Sequence, residues 1–385
     1  DNWKHFVEKY GNNMREAIIN NVAKILICGS VAMGYRVYQC PTCDYSKFIP
    51  FTCKSKSCSS CGKKATDRWI SKNYSILPKT LWQNITFTLP SEIWPLFWCN
   101  RHLMNLLPKY AADCIKKIAA KKKALPGIFL AVHTFGRDLK RNFHIHAATT
   151  CGGLSFNLKS WIKVYFHHQV LKNQWKKHVL NFLQEQFKAG MLSFPKSLSY
   201  LEDPKSFNIW IKSLREKKWV VHLAKPTTNH EQNISYLGKY LKRPPLSEAN
   251  ILSYDGNNVI LRHLDHNTKT YITIAMTVEI FIGKFISHLH NRYFRSIRYY
   301  GWLANRVRTK MLGIVYGALH LPDKTKDIKK PIEKITWLKM QIREFNINPL
   351  KCTKCNNYLF FLYAVFKSKL KIFINNHYAL IANNV

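Results

Sequence analysis

The chain has 385 residues, more than one hydrophobic core usually supports, so two or three domains are expected. Lys and Arg outnumber Asp and Glu by 60 to 21, and the formal net charge of +39 points to a polyanionic partner. A ribosome-associated or membrane-surface protein would share this charge signature. No apolar run approaches the ~20 residues of a membrane span, and no GxxxxGK[ST] loop occurs, which excludes a spanning helix and disfavours an ATP-driven motor.

The first elements along the chain are a helix and a cysteine-rich segment. Apolar residues at helical spacing between Trp3 and Ile18 predict an amphipathic helix that runs toward Gly29. The cysteine-rich segment follows at about 38–64. Most of the 11 cysteines lie in or near CxxC pairs and no secretory leader is visible, so a reducing, cytoplasmic location is expected.

The cysteine-rich segment predicts a structural zinc site made of Cys40, Cys43, Cys58 and Cys61. These residues form two CxxC knuckles, and the fourteen residues between the knuckles allow four thiolates to surround one Zn²⁺ tetrahedrally. Cys53 lies between the knuckles and is an alternative ligand. Cys352 and Cys355 form a further CxxC pair, which is either half of a second zinc site or two unligated thiols.

A β-type run at 85–89 is followed by a helical stretch that extends to about Lys123. Two more β-type runs, at 128–135 and 143–150, flank a polar turn and are predicted to form a hairpin. Further along, 161–187 is predicted to be helical and 219–223 to be a strand.

A last helix is predicted to begin near Asn229, which can cap it together with Gln232, and to end before Pro244. The order strand, helix, hairpin, helix, strand, helix predicts an α+β domain with an antiparallel sheet between about residues 81 and 245. Signals beyond this range are weak.

Two histidines, His144 and His146, alternate along the second hairpin strand and therefore point to the same face. They can chelate a divalent metal, although such pairs are at least as common on strands that bind none. His133 lies on the preceding strand, where cross-strand pairing can add it as a third ligand. The bound ion, Mg²⁺ or Mn²⁺, would act as a Lewis acid on a phosphate.

Two tyrosines, Tyr236 and Tyr240, are four residues apart on the last predicted helix, so their phenols lie side by side. They fall beside the apolar stripe of Ile234, Leu237 and Leu241, which suits either a cleft or the margin of a core. A phenol can attack a phosphodiester that a metal polarises, leaving a 5′-phosphotyrosine and a free 3′-OH. Two tyrosines permit two successive cleavages, and which attacks first stays open.

Basic residues interleaved with aromatic ones are typical of proteins that bind single-stranded nucleic acid, because cations follow the phosphates while rings stack on bases. The same aromatic residues also suit an ordinary core. The candidate DNA-binding residues are Lys54, Lys56, Lys63, Lys64, Lys242, Arg243, Arg292, Arg295 and Arg298.

In the order of these motifs the chain resembles the two-tyrosine transposases of the insertion-sequence-91 family, which belong to the HUH endonuclease superfamily. The resemblance covers nearly the whole chain. It is carried by the zinc segment, the ITFTLP strand at 85–90, the His133-Thr-Phe-Gly and Phe143-His-Ile-His strands, the Tyr236-Leu-Gly-Lys-Tyr240 helix with its following Lys-Arg-Pro-Pro, the RYFRSIRYYG segment at 292–301 and the Cys352/Cys355 pair. Members often carry Gln at the position of His133, which leaves the third ligand open.

The resemblance implies three regions. An N-terminal helix and zinc-binding domain is expected at 1–78. An HUH catalytic domain is expected at 79–250, with a central antiparallel sheet of ferredoxin-like or RRM-like palm type flanked by helices. A mixed C-terminal DNA-binding region with a CxxC knuckle is expected at 251–385.

The implied function is metal-dependent cleavage and transfer of single-stranded DNA in rolling-circle or peel-and-paste transposition, with structural Zn²⁺ and catalytic Mg²⁺ or Mn²⁺. The implied partners are single-stranded DNA at transposon ends and targets, together with host helicase or replication factors, in a bacterial nucleoid-associated setting. The oligomeric state is left open.

Two alternatives also fit the sequence. A plasmid replication initiator or relaxase uses the same chemistry, and a non-catalytic, zinc-containing DNA-binding protein needs none of it. The zinc module and the C-terminal extension favour the transposase.

Overall fold

The computed structural model describes residues 1–136, 138–229, 232–236, 238, 244–265, 268–291, 294–324, 338–339, 341–342 and 346–366. Its α-helices are α1 (Asn2–Tyr10), α2 (Glu16–Leu26), α3 (Ser59–Ile76), α4 (Trp94–Cys99), α5 (Leu107–Ala120), α6 (His168–Lys188), α7 (Pro204–Glu216), α8 (Val278–Ser287) and α9 (Arg308–Ala318). Short 3₁₀ helices cover Gly11–Asn13, Val31–Met33, Ser91–Ile93, Arg101–Asn105, Lys196–Glu202 and Glu248–Asn250. Residues 232–236 are also helical.

The strands are β1 (Tyr35–Gln39), β2 (Ser46–Pro50), β3 (Trp82–Thr88), β4 (Ala124–Phe135), β5 (Arg141–Ser155), β6 (Trp161–Lys163), β7 (Val221–Leu223), β8 (Ile251–Tyr254), β9 (Asn258–Leu264), β10 (Tyr271–Thr277), β11 (Ile297–Gly301) and β12 (Phe360–Val365). The central sheet has the order β11-β4-β5-β3-β7, with β6 also paired to β5. Its neighbouring strands are antiparallel. The predicted α+β class, with antiparallel sheet and flanking helices, is confirmed.

Successive residues of a strand point to opposite sides of the sheet, so apolar side chains project from both faces of the central sheet. Helices cover both faces. On one face, Phe87, Leu130 and Ile145 belong to a core that includes residues of α5, α6 and α7. On the other face, Phe129 and Ala148 belong to a second core that includes residues of α3 and α9. The sheet is therefore the middle layer of the fold.

The helix that was predicted from residue 161 begins instead at His168, and this correction has a packing cause. Residues Trp161–Lys163 form β6, which pairs with Gly152, Gly153 and Leu154. A Cβ atom on Gly152 would lie 2.4 Å from Nε1 of Trp161, so only glycine leaves room for that indole. Within the described ranges, every helix is too short or too polar to traverse a lipid bilayer.

Two smaller three-stranded sheets stand beside the central one, with the orders β10-β9-β8 and β12-β1-β2. The first packs Val259, Leu261 and Met276 against Leu139 in the β4–β5 turn. The second joins the N-terminal hairpin β1–β2 to β12, a strand more than 300 residues later, so the two ends of the described chain form one sheet.

Described elements of the third predicted region, 251–385, pair and pack with elements of the first two regions. Its β11 is an edge strand of the central sheet, and its β12 pairs with β1. Residues of α8 share a core with Trp3 and Phe6 of α1. Contacts between residues so far apart in sequence leave no local pattern, so the chain order alone does not predict them.

Gly301 is a glycine whose backbone and surroundings both oppose substitution. Its φ is +63°, and a Cβ atom there would lie 1.6 Å from the Pro126 carbonyl oxygen. We expect Gly301→Ala to lower the free energy of unfolding by about 3 kcal/mol or more, because backbone strain and a main-chain clash add. Gly190 is a matched control, since its φ is +65° but nothing lies within 4 Å of the added atom.

Gly190→Ala should therefore cost only about 1 kcal/mol from backbone strain. Thermal unfolding followed by calorimetry compares the two variants. Equal decreases in Tm would contradict the packing argument.

Candidate metal and tyrosine site

The β4–β5 hairpin brings three histidines together at one end of the central sheet. His133 on β4 lies directly opposite His144 on β5, and His146 follows two residues later. Directly opposed residues share a face, so all three imidazoles project to the same side. Their nearest ligand atoms lie within 4.8 Å of one another. The predicted cross-strand position of His133 thus agrees with the observed register.

Contacts on the far side of two rings direct their Nε2 atoms toward each other. His144 Nδ1 is 2.9 Å from the Asn142 carbonyl oxygen. Because a carbonyl only accepts, Nδ1 carries the proton and Nε2 presents a lone pair. His146 Nδ1 is 3.3 Å from the Thr86 hydroxyl. The two Nε2 atoms are 3.0 Å apart.

This separation fits a shared metal ion. Two nitrogens at adjacent positions of an octahedron with bonds of about 2.1 Å would lie about 3.0 Å apart. Imidazole nitrogens suit transition ions, and the remaining coordination positions suit water or phosphate oxygen. The donor set therefore fits Mn²⁺ and related ions, and it leaves open coordination positions.

Burial favours the neutral form of His144 and His146. It lowers the pKa of His144 to about 4, against a smaller opposing effect from the hydrogen bond with Asn142. It also lowers the pKa of His146 well below its ordinary value, helped by the neighbouring His133 and His144. Neutral rings are the form that binds metal, so the ligands need not lose protons near pH 7.

The histidines open into a cavity of about 620 Å³ that Tyr236 also lines. Asn229 caps the helix that carries this tyrosine, as predicted, since the backbone N–H of Gln232 donates to Asn229 Oδ1 at 2.9 Å. Ile234 anchors the helix in the core shared by α3 and α9. Tyr240, like Leu237 and Leu241, lies outside the described residues.

The cavity has contributors that the sequence analysis missed. Thr86 and His222 stand opposite each other on β3 and β7, and both line the cavity. A third contributor is the β8–β10 sheet, which supplies Leu261, His263 and Ile274 as a facing wall. Thr86 has a local signal, because it alternates within the predicted ITFTLP strand. No local sequence signal predicts the wall, because its position depends on packing against the β4–β5 turn.

The cysteines form two clusters rather than the single predicted site. Cys40 and Cys43 lie with Cys352 and Cys355, whereas Cys58 and Cys61 lie with Cys28 and Cys53. The prediction that Cys40, Cys43, Cys58 and Cys61 form one site is therefore wrong, because the two CxxC pairs lie in different clusters. Its two knuckles are separated by the β1–β2 hairpin, because Cys40 and Cys43 lie at its turn while Cys58 begins α3.

Cys53, an alternative ligand in the sequence analysis, belongs to the second cluster, and Cys28 was missed because it lies outside any CxxC pair. Cys352 and Cys355 are half of a four-cysteine cluster, in agreement with the alternative in which they form half of a second zinc site.

The basic residues predicted to contact DNA are only partly described. Lys242, Arg243 and Arg292 lie outside the described residues. Four others lie near the start of α3, namely Lys54, Lys56, Lys63 and Lys64. Lys56 Nζ contacts Ser296 Oγ at 3.0 Å, beside the segment that carries Arg295 and Arg298. Arg295 is exposed, whereas Arg298 donates to Asn105 Oδ1 at 2.9 Å.

Comparisons with known proteins agree with this architecture. A family model described as "Transposase zinc-binding domain" matches residues 1–89, and one described as "Putative transposase" matches residues 127–310. The chain is 33% identical to "Transposase for insertion sequence element IS801" of Pseudomonas savastanoi pv. phaseolicola, over 94% of this chain and 87% of that protein. It is 29% identical to "Putative transposase y4qJ" of Sinorhizobium fredii, over 75% of each chain. No solved structure matches significantly.

The two family models, one over the N-terminal cysteine-rich region and one over most of the central sheet, define the protein as a zinc-binding DNA transposase. The chain belongs to the insertion-sequence-91 family of transposases, which confirms the resemblance noted from its motifs. The clusters of four cysteines suit the structural zinc that the first of these family models implies.

Thr86 should tune metal affinity through its contact with His146. We expect Thr86→Val to weaken Mn²⁺ binding about 10-fold, because hydrogen-bonding partners of metal-bound imidazoles orient the ring and raise its basicity. Thr88 is a matched control, since it stands opposite His144 and lines the same cavity. Thr88→Val should leave the affinity unchanged. Titration calorimetry with Mn²⁺ measures both, and equal effects would remove Thr86 from this role.

Proposed function

We propose that this transposase cleaves and transfers single-stranded DNA, with a divalent metal held by His133, His144 and His146, and with Tyr236 and Tyr240 as nucleophiles. The observation that carries the proposal is the cavity that Tyr236 shares with all three histidines. A phenol beside a three-imidazole cluster is the combination that phosphodiester transfer to tyrosine requires.

The metal, when bound, would polarise the scissile phosphate and offset the negative charge that develops on it. The phenolic oxygen of Tyr236 attacks phosphorus, and the bond from phosphorus to the 3′-oxygen breaks. The phenol loses its proton and the departing 3′-oxygen gains one, so the products are a 5′-phosphotyrosine and a free 3′-OH. The number of phosphodiester bonds is conserved.

Rejoining needs no ATP because the reverse attack uses a 3′-OH on the phosphotyrosine. With Tyr240 as a second nucleophile, one enzyme can hold two cleaved ends in succession, as strand transfer requires. Either tyrosine can attack first in this scheme. The ions proposed for the histidine site are Mn²⁺ and Mg²⁺, while Zn²⁺ serves the cysteine clusters.

The proposed substrate is single-stranded DNA at the ends of the mobile element and at its target. The net charge of +39 favours binding to DNA phosphates, and the predicted basic residues near α3 and β11 are the proposed contacts. In this scheme, host helicase or replication proteins unwind the duplex DNA.

Covalent adduct formation tests the chemistry directly. Single-stranded oligonucleotides spanning the ends of the mobile element are incubated with protein and Mn²⁺ or Mg²⁺, then separated under denaturing conditions. We expect an adduct that retains a 3′-terminal label and loses a 5′-terminal label, because tyrosine bonds to the 5′-phosphate. His144→Ala with His146→Ala should abolish the adduct, as should EDTA.

Replacing both tyrosines, Tyr236→Phe with Tyr240→Phe, should reduce the adduct below detection, and the single variants show which tyrosine attacks first. Tyr165→Phe is the control, because Tyr165 is 79% exposed and does not line the cavity. An adduct that persists in the double variant, or one that retains the 5′-label, would refute the mechanism.

A further inference from the structure

We propose that the protein holds two zinc ions, and that one of them ties the two ends of the described chain together through Cys40, Cys43, Cys352 and Cys355. The other ion is assigned to Cys28, Cys53, Cys58 and Cys61. The family model for zinc binding ends at residue 89, so it contains all of the second cluster but only half of the first. This assignment does not depend on the proposed tyrosine chemistry.

Sulfur positions in the chain-end cluster, Cys40/Cys43/Cys352/Cys355, match a tetrahedral metal site. Cys40 Sγ lies 3.3 Å from Cys355 Sγ, and Cys43 Sγ lies 3.5 Å from both Cys352 Sγ and Cys355 Sγ. Four sulfurs around zinc at about 2.3 Å would be about 3.8 Å apart, whereas a disulfide requires about 2.05 Å. The observed distances are therefore close to a tetrathiolate.

The N-terminal cluster, Cys28/Cys53/Cys58/Cys61, has the same spacing. Cys28 Sγ lies 3.6 Å from Cys61 Sγ and 3.7 Å from Cys58 Sγ. Cys53 Sγ lies 3.7 Å from Cys61 Sγ. Two independent groups of four thiols with matching separations indicate two ions rather than one.

Backbone groups support both sets of sulfurs. In the chain-end cluster the Lys354 N–H points to Cys352 Sγ at 3.4 Å. In the N-terminal cluster the Cys53 N–H points to Cys28 Sγ at 3.3 Å. Such N–H groups stabilise the negative charge of thiolates that bind metal. The two knuckles of the chain-end cluster also contact each other, since Asn357 Nδ2 donates to Thr42 Oγ1 at 2.7 Å.

The small sheet β12-β1-β2 needs such a metal because it has little core. Val37 is the one buried residue of its described strands, and the adjoining hydrophobic cluster has three buried residues, Cys40, Cys352 and Leu359, of which two are proposed ligands. Most side chains of β12 are exposed, including Phe361 at 53%. Units this small generally depend on metals or disulfides for stability, and the spacing rules out disulfides.

The two ions would clamp opposite ends of the β1–β2 hairpin. Cys40 and Cys43 lie at its turn, whereas Cys28 and Cys53 flank its open end. The chain-end cluster thereby fixes β12 on β1, and a Cys₄ site leaves no coordination position for catalysis. The role assigned to it is structural: it makes the C-terminal segment a permanent part of the zinc-binding domain.

Zinc content per chain tests the assignment. In a background of His144→Ala with His146→Ala, which removes the histidine site, the full chain purified without chelator should contain two zinc ions by plasma mass spectrometry. Cys352→Ser with Cys355→Ser should reduce the content to one ion, and Cys58→Ser with Cys61→Ser should also leave one. Cys99→Ser is the matched control, because Cys99 is exposed and outside both clusters, and it should leave two.

In that background, one zinc ion in the chain with all its cysteines, or two in the Cys352→Ser/Cys355→Ser variant, would overturn the proposal. A single site made of Cys40, Cys43, Cys58 and Cys61 predicts one ion that the C-terminal variant keeps. The zinc content is measured without DNA, so its failure is distinguishable from a failure of the adduct experiment.

Cobalt substitution covers the case in which a variant does not fold. In the unsubstituted chain we expect two equivalents of Co²⁺ to enter with the visible absorption of tetrahedral thiolate coordination. When chelator removes the ion from the chain-end cluster, proteolysis after residue 318 should increase at the same time. Saturation at one equivalent would overturn the proposal without any substitution.

Discussion

The pairing of β4 with β5 is the constraint on which the rest of the structure depends. It sets His133 opposite His144, and it also sets Phe129 opposite Ala148 in the core beneath α3 and α9. A slip of one residue would move the histidines to the face covered by α5 and α6 and would expose apolar residues in their place. Core packing and the candidate site therefore stabilise the same register.

The same pairing explains why the cavity lies where it does. On the face of the sheet that carries the histidines, helices cover the apolar residues along most of the strands. Toward the β4–β5 turn these helices end, and histidines occupy the positions on this face. The β8–β10 sheet packs against Leu139 in that turn and closes the far side. The result is a cleft between the end of the sheet and a second wall, and Tyr236 is one of the residues that line it.

Local patterns were sufficient to predict the elements that carry the site. Alternation along 143–150, the capping of Gln232 by Asn229 and the CxxC pairs all depend on neighbours in sequence. What sequence could not predict depends on distant partners: the edge strand β11, the wall formed by Leu261 and Ile274, and the sharing of cysteines between the chain ends. The error in the zinc grouping has this origin, because ligand spacing identifies knuckles but not which knuckles meet.

The residue types at the site fit the charge of the whole protein. Acidic residues number 21 against 60 basic ones, and in the proposed mechanism a carboxylate ligand would repel the DNA phosphate that approaches the metal. Of the carboxylates around the cavity, Asp138 is already paired with Lys140 at 3.0 Å. Neutral imidazoles, kept neutral by burial, leave the positive charge of a bound ion undiminished. In the proposed mechanism, a histidine site on a basic protein therefore presents the positive charge of its ion to the phosphate.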